Sequence, residues 1–147
     1  MFRIKFLLIA LFPIVSFAQN LTGIWQGSVK LPSEDTAKQF SITLYLVQND
    51  GIIGGTSYNF IAESPFYSEK AFEGSFKNGQ LDFQETVVLN ENPSPDFTWG
   101  LAFGPLSYEA TDESLSGDWL FSTKKQQANK NDQSQDQFVK ARITLFR

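Results

Sequence analysis

Histidine and cysteine are both absent from this 147-residue chain. Without histidine there is no Ser-His triad, no Cys-His pair and no zinc site of ordinary composition. Without cysteine there is neither a disulfide framework nor a lipid-modified thiol. Basic charge is scarce as well: setting aside Arg3 and Lys5 leaves ten basic against sixteen acidic side chains, a formal charge of −6 with no basic block. Nucleic acid and anionic membrane surfaces are therefore excluded as partners, since both demand a lysine or arginine footprint. Helical periodicity is missing too, for no window of useful length after residue 18 repeats apolar residues at i, i+3, i+4 and i+7. Nothing in the composition calls for a cofactor.

Residues 1–18 read as a cleaved signal peptide. Arg3 and Lys5 precede an apolar run from Phe6 to Val15, and Ser16-Phe17-Ala18 supplies small residues at a cleavage site. The run is broken by Pro13 and is shorter than the roughly 20 residues a spanning helix needs, so the processed protein is not expected to insert into a membrane. Export to the periplasm or the exterior follows. Residues 19–147 are enough for a single domain that buries roughly two-thirds of the surface its unfolded chain exposes.

What the sequence has in abundance is alternation of period two. Trp25, Gly27, Val29 and Leu31 share one face of a first strand, and Phe40, Ile42, Leu44 and Leu46 share one face of a second. Asp50-Gly51 is a two-residue hairpin signal. With Asn49 facing Ile52, the register places Leu44 opposite Ser57 and Ile42 opposite Asn59, so the third strand brings polar groups to an apolar face. Asn78-Gly79 repeats the signal and sets Phe72 opposite Glu85 and Phe76 opposite Leu81. Glu85 then shares a face with Leu81, Phe83, Val87 and Leu89.

Further along, Trp99, Leu101 and Phe103 alternate up to Gly104-Pro105, which is expected to turn the chain into a strand from Leu106 to Ala110. A strand from Leu115 to Thr123 aligns Leu115, Gly117, Trp119 and Phe121. The polar run from Lys124 to Gln137 predicts a mobile loop. The last strand, Phe138 to Phe146, turns Val139, Ala141, Ile143 and Leu145 inward and Lys140, Arg142 and Thr144 outward. The fold class is all-β: about eight or nine antiparallel strands in an up-and-down order, the number at which a sheet closes into a small barrel, with a two-sheet sandwich as the competing arrangement.

Glycine recurs inside the strands in "LTGIW", "IGGTS", "FEGSF" and "LSGDW", where it favours tight curvature over local stability. "LTGIWQGS" at the start of the processed chain, the later "LSGDW" and the final "KARITLFR" together resemble the calycin group of barrels, the avidins and lipocalins. In that group Gly-x-Trp opens the first strand and an arginine of the last strand lies near the tryptophan. The resemblance implies that Gly23, Trp25 and Arg142 close the barrel, with Trp119 as an avidin-like second tryptophan. A cation–π contact between Arg142 and Trp25 would be its physical content; a solvated Arg142 on the outer face is the alternative. The polar set with which avidins hold biotin is poorly reproduced. Only Ser28, Ser57 and Thr144 offer related groups.

The candidate ligand-binding residues are Trp25, Ser57, Asn59, Glu85, Trp99, Tyr108 and Trp119, with Phe83 and Phe103 adding to an aromatic wall. Such a wall with few polar contacts suits a small-molecule site; an interior filled solid by the same side chains is the competing account. Glu85 is the sharpest candidate, because a carboxylate on an apolar face is costly unless paired or protonated. A bulge or a place at the barrel mouth would relieve it instead. Tyr45, Tyr58 and Phe60 form an outer aromatic patch suited to a homodimer, unless the loop from Ala62 to Glu69 covers it.

The leading functional expectation is thus a secreted or periplasmic barrel that binds a small, partly apolar molecule without transforming it. A filled-core module holding a protein or glycan partner stands second. A hydrolase with paired carboxylates stands third, since Glu73, Glu109 and Asp118 point away from Glu85.

Overall fold

Strict alternation lets each strand bury one face and solvate the other, and a sheet of such strands is satisfied by curling shut around its apolar side. The computed structural model describes residues 19–31, 39–95, 100–123 and 137–147. In it the sheet closes in chain order, each strand antiparallel to its neighbours, and the first pairs with the last. The strands are β1 Gly23–Lys30, β2 Gln39–Asn49, β3 Ile52–Phe60, β4 Tyr67–Lys77, β5 Gln80–Asn92, β6 Ala102–Glu109, β7 Ser114–Thr123 and β8 Gln137–Phe146. Residues 1–18, Trp99 and the polar run 124–136 lie outside the described residues.

The expected registers are those found. Leu44 faces Ser57, Ile42 faces Asn59, Phe72 faces Glu85 and Phe76 faces Leu81. Both hairpins owe this to their turns: Asp50 and Gly51 have φ of 47° and 81°, Asn78 and Gly79 have φ of 54° and 75°, the left-handed pair that a two-residue turn of this kind requires. The two turns are knitted to their neighbours by Phe76 N–H donating to Gly51 O and Tyr108 N–H donating to Gly79 O, each at 2.8 Å.

Up-and-down connectivity gives the barrel two unlike ends. At the turn end lie Asp50-Gly51, Asn78-Gly79 and residues 110–113; at the loop end lie the longer connections that begin after Lys30, Phe60, Asn92 and Thr123. The turn end is filled by Leu21, Trp25, Leu46, Ile53, Leu81, Leu106, Leu115 and Leu145, all fully buried. Each such aliphatic chain is worth about 1.5–3 kcal/mol relative to exposure. Glycine permits the closure at the seam, where a Cβ on Gly27 of β1 would lie 1.9 Å from the backbone oxygen of Thr144 in β8.

Three expectations about individual strands are corrected. Gly104-Pro105 does not turn the chain: β6 runs straight through it, with Ala102 and Leu106 buried. The strand's phase therefore sends Leu101 and Phe103 outward, 37% and 38% exposed, and Phe103 contributes nothing to an interior wall. Val87 and Leu89 are also exposed, although they were expected beside Glu85. Register shifts between β4 and β5 leave Thr86 and Leu89 without partners, and each extra residue rotates the strand's alternation.

The third correction concerns the arginine. Arg142 stands on the outer face, its side chain 60% exposed, and bonds Asp118 at 3.4 Å; it makes no contact with Trp25, because its alternation phase along β8 is opposite to that of inward Ala141 and Ile143. Arg147 is the arginine that meets the start of the barrel. Its guanidinium donates to Asn20 O at 3.3 Å and to Thr22 O at 2.8 Å, and lies against Gly23. Trp25 turns its indole N–H to Leu21 O at 2.8 Å. The segment before β1 is thereby folded across the turn end as a plug.

Candidate functional site

A barrel interior built from alternating apolar residues has no place for polar side chains unless they satisfy one another. At the loop end, β3, β4 and β5 nevertheless direct Ser57, Asn59, Ser68, Lys70 and Glu85 inward, and all five are buried. Their positions follow from pairing. Ser57 sits opposite Lys70 and Asn59 opposite Ser68 across β3 and β4, while Glu85 lies beside Phe72 on β5. Neighbours of this kind stand about 4.5–5.5 Å apart at Cβ, within hydrogen-bonding reach of their side chains.

Glu85 is the hub. Its Oε1 accepts from Ser57 Oγ at 2.5 Å, and its Oε2 accepts from Lys70 Nζ and from the Ala102 backbone N–H, both at 2.8 Å. Lys70 donates again, to Gly100 O at 2.6 Å. The Lys70 and Glu85 side chains are 4% and 0% exposed, so neither a mouth position nor a bulge brings Glu85 to water. Compensation by a buried cation is what permits the carboxylate there. Desolvating two charges is repaid only when geometry is good and the remaining lone pairs are filled, and three donors on one carboxylate meet that condition.

Beside this pair is a cavity of about 30 Å³, lined by Val29, Phe40, Asn59, Lys70, Gly100, Ala102, Trp119 and Phe121. Trp119 on its wall packs on Phe83 with ring centroids 5.1 Å apart, and Phe83 packs on Phe72 at 4.6 Å, deeper in the barrel. Two nitrogens of lining residues, Asn59 Nδ2 and Trp119 Nε1, are buried out of reach of the cavity space with no hydrogen-bond partner among the described residues, as is Ser68 Oγ next to Asn59. A buried donor left unmatched costs about 1–3 kcal/mol, and a cluster of them is seldom kept without use.

Of the residues selected from the sequence, Ser57, Asn59, Glu85 and Trp119 are thus brought together, Ser57 and Glu85 in the charged pair's network and Asn59 and Trp119 on the cavity wall. Trp25 and Tyr108 are not among them. Tyr108 meets Trp25 and Phe76 edge-on, each with centroids 6.1 Å apart, at the turn end of the barrel. Because β1 begins and β6 finishes at that end, both rings are spent on closing the barrel. Trp99 lies outside the described residues. Lys70 was not anticipated, although its signal was present: Phe76, Phe72 and Lys70 share one parity along β4, and only the habit of reading lysine as a surface residue hides it.

The remaining acids stand apart from the site. Glu73 and Glu109 are exposed, and Asp118 bonds Lys140 at 2.9 Å and Arg142 on the outer face. Among the described residues no three acidic side chains are grouped so as to hold a metal ion. On the outer surface Tyr58 stacks on Tyr67 and leans on Phe60, with centroids 5.6 Å apart in both pairs, while Tyr45 is half exposed. No family model matches the chain, and no curated protein matches it.

Proposed function

We propose that this chain is an exported calycin-type barrel that holds a small, partly apolar molecule at its loop end and does not transform it. The observation that carries this reading is a loop-end cavity lined by Asn59, Lys70, Trp119 and apolar side chains, beside which Asn59 Nδ2 and Trp119 Nε1 are buried with no acceptor for them among the described residues. The calycin part rests on Gly23-x-Trp25 opening β1, on the eight up-and-down strands, and on an arginine from the end of the chain bonded to the segment before β1, Arg147 in the role expected of Arg142. The cavity is small and open toward the exterior, so a ligand held there leaves part of its body at the barrel mouth.

Absence of catalysis is supported by the way Glu85 is engaged. Its bonds run to Ser57, Lys70 and Ala102, and among the described residues no second carboxylate is buried beside it. A filled-core interaction module is the second reading, favoured by the small size of the cavity and by the outer ladder of Phe60, Tyr58 and Tyr67, which also suits a homodimer. Native mass spectrometry of the protein isolated from its own host separates the two. A retained small molecule is the expected result; a bare chain in a stable protein assembly would replace the first reading with the second.

A further inference from the structure

We infer that the outer wall of β6, β7, β8 and β1 is a docking strip for an acidic polysaccharide that carries a single carboxylate on each sugar. Along the chain the basic residues are scattered, yet closure of the barrel gathers three of them on one face. Lys30 of β1 stands opposite Arg142 of β8, which stands opposite Asp118 of β7, and Lys140 follows two residues away on the same side of β8. The Asp118 carboxylate bonds Lys140 at 2.9 Å and Arg142 at 3.4 Å. Lys30 has no side-chain partner among the described residues. One carboxylate among three cations leaves a positive surplus on a chain that is acidic overall, and such a surplus is complementary to a negatively charged partner.

Beside the charges runs a row of hydroxyls. Ser28, Thr144, Ser116 and Ser107 are lateral neighbours across four consecutive strands, β1, β8, β7 and β6. All four have the outward phase, and among the described residues their side chains bond nothing. A hydroxyl both donates and accepts, as a sugar hydroxyl does, whereas cations alone would suit any polyanion. With neighbouring strands about 4.7–4.9 Å apart, the row spans roughly 14 Å, about the length of three linked sugar rings. Pro105 lacks an N–H and interrupts the β6–β7 ladder beside Asp118. A groove of about 580 Å³ lies there, with Ser107, Ser116, Lys140 and Arg142 in its lining. Charge density then selects among acidic polymers. A nucleic acid or a heavily sulfated glycan would bring more anions than the surplus neutralises and press them against Asp118 and against Asp82, which faces Pro105 from β5. Neither row holds an aromatic ring on which bases could stack.

The test titrates three probes into the processed chain by calorimetry: a galacturonate hexamer, its fully methyl-esterified form and a glutamate hexapeptide. The galacturonate hexamer is expected to bind at least about tenfold more tightly than either of the others, and less tightly as salt is added. Lys30→Gln combined with Arg142→Gln should weaken it at least about tenfold with the thermal midpoint little changed, since both side chains are exposed. Ser116→Ala combined with Thr144→Val should weaken it by about threefold to tenfold through the lost hydrogen bonds. An ester that binds as tightly as the acid overturns the proposal, and so does a hexapeptide that matches the hexamer, because the surface would then read charge without sugar. Unchanged binding in the Lys30 and Arg142 double variant, with its fold intact, removes the site from this wall. Tighter binding of a sulfated hexasaccharide than of the galacturonate hexamer overturns the assignment by charge density, and failure of the galacturonate hexamer to bind overturns the whole.

Discussion

The two ends of the barrel are made from the same eight strands and obey the same alternation, yet they solve opposite problems. At the turn end, short loops bring neighbouring strands together, and Leu21, Trp25 and Tyr108 complete an apolar layer. Several polar groups there hold the end together: the indole of Trp25 bonds the plug, Gln48 accepts from Leu21 N–H at 2.8 Å, and Arg147 ties down the residues before β1. At the loop end the interior is polar, it holds both buried charges, and several donors are unmatched. Stability alone explains the first arrangement. The second costs stability, and on the function proposed above that cost is offset by a ligand, which is how binding sites commonly differ from the scaffold that carries them.

The contrast can be broken most severely at Lys70. Lys70→Met should leave Glu85 buried without its cation and lower the free energy of unfolding by about 3–5 kcal/mol, whereas adding Glu85→Leu should restore most of that loss, since an apolar pair replaces a buried ion pair at little cost. Urea unfolding of the two variants measures both. A double variant no more stable than the single one would mean that charge compensation does not govern the loop end. A smaller effect is expected at the turn end, where Leu21→Ala removes a fully buried side chain for about 2–3 kcal/mol, the low part of the range for such truncations. Tryptophan emission should shift to the red and become more quenchable by acrylamide as Trp25 loses its cover.

The smallest effect belongs to the outer face. The hydrogen bond from Lys140 holds the Asp118 carboxyl below its ordinary value of 3.8, helped by the charges of Lys140 and Arg142 and by the Arg142 hydrogen bond, against a weaker opposing effect of desolvation. A carboxyl whose folded pKa is depressed contributes stability that is present above its unfolded pKa and is lost as pH falls through the folded one. Asp118→Asn should therefore narrow the stability difference between about pH 6 and about pH 3 slightly, and added salt should erase the distinction because the pair is exposed. A large or salt-independent change would mean that this cluster is part of the fold's framework and not a solvated ornament of β7 and β8.

Much of this molecule was legible in its residues, and the legible part has one physical origin. Strand parity and two-residue turns are local: Asp50-Gly51 and Asn78-Gly79 can form only one kind of hairpin, and a slip of one residue would turn every apolar side chain to water. From that alone come the antiparallel order of the strands, the inward direction of Ser57, Asn59 and Glu85, and the burial of Trp25 and Trp119. Where parity was interrupted, the reading failed. Thr86 and Leu89 are extra residues that nothing in their own chemistry announces, and Gly104-Pro105 continues a strand although the pair usually ends one.

Which residues meet across the barrel is a different matter, since it depends on closure, and closure joins strands that are far apart in the chain. Parity along β4 could have sent Lys70 inward; only the folded sheet sets its ammonium 2.8 Å from Glu85. The sequence by itself determined an antiparallel sheet of alternating strands and most of the faces that would line its interior. Tertiary structure alone decided that the sheet closes as a barrel, that the Arg147 and not the Arg142 side chain bonds the segment before β1, that Trp25 and Trp119 serve opposite ends, and that Asn59 and Trp119 line a single cavity. The reason is that backbone pairing is dictated by neighbours a few residues apart, whereas a site is dictated by where a closed sheet brings its distant strands together.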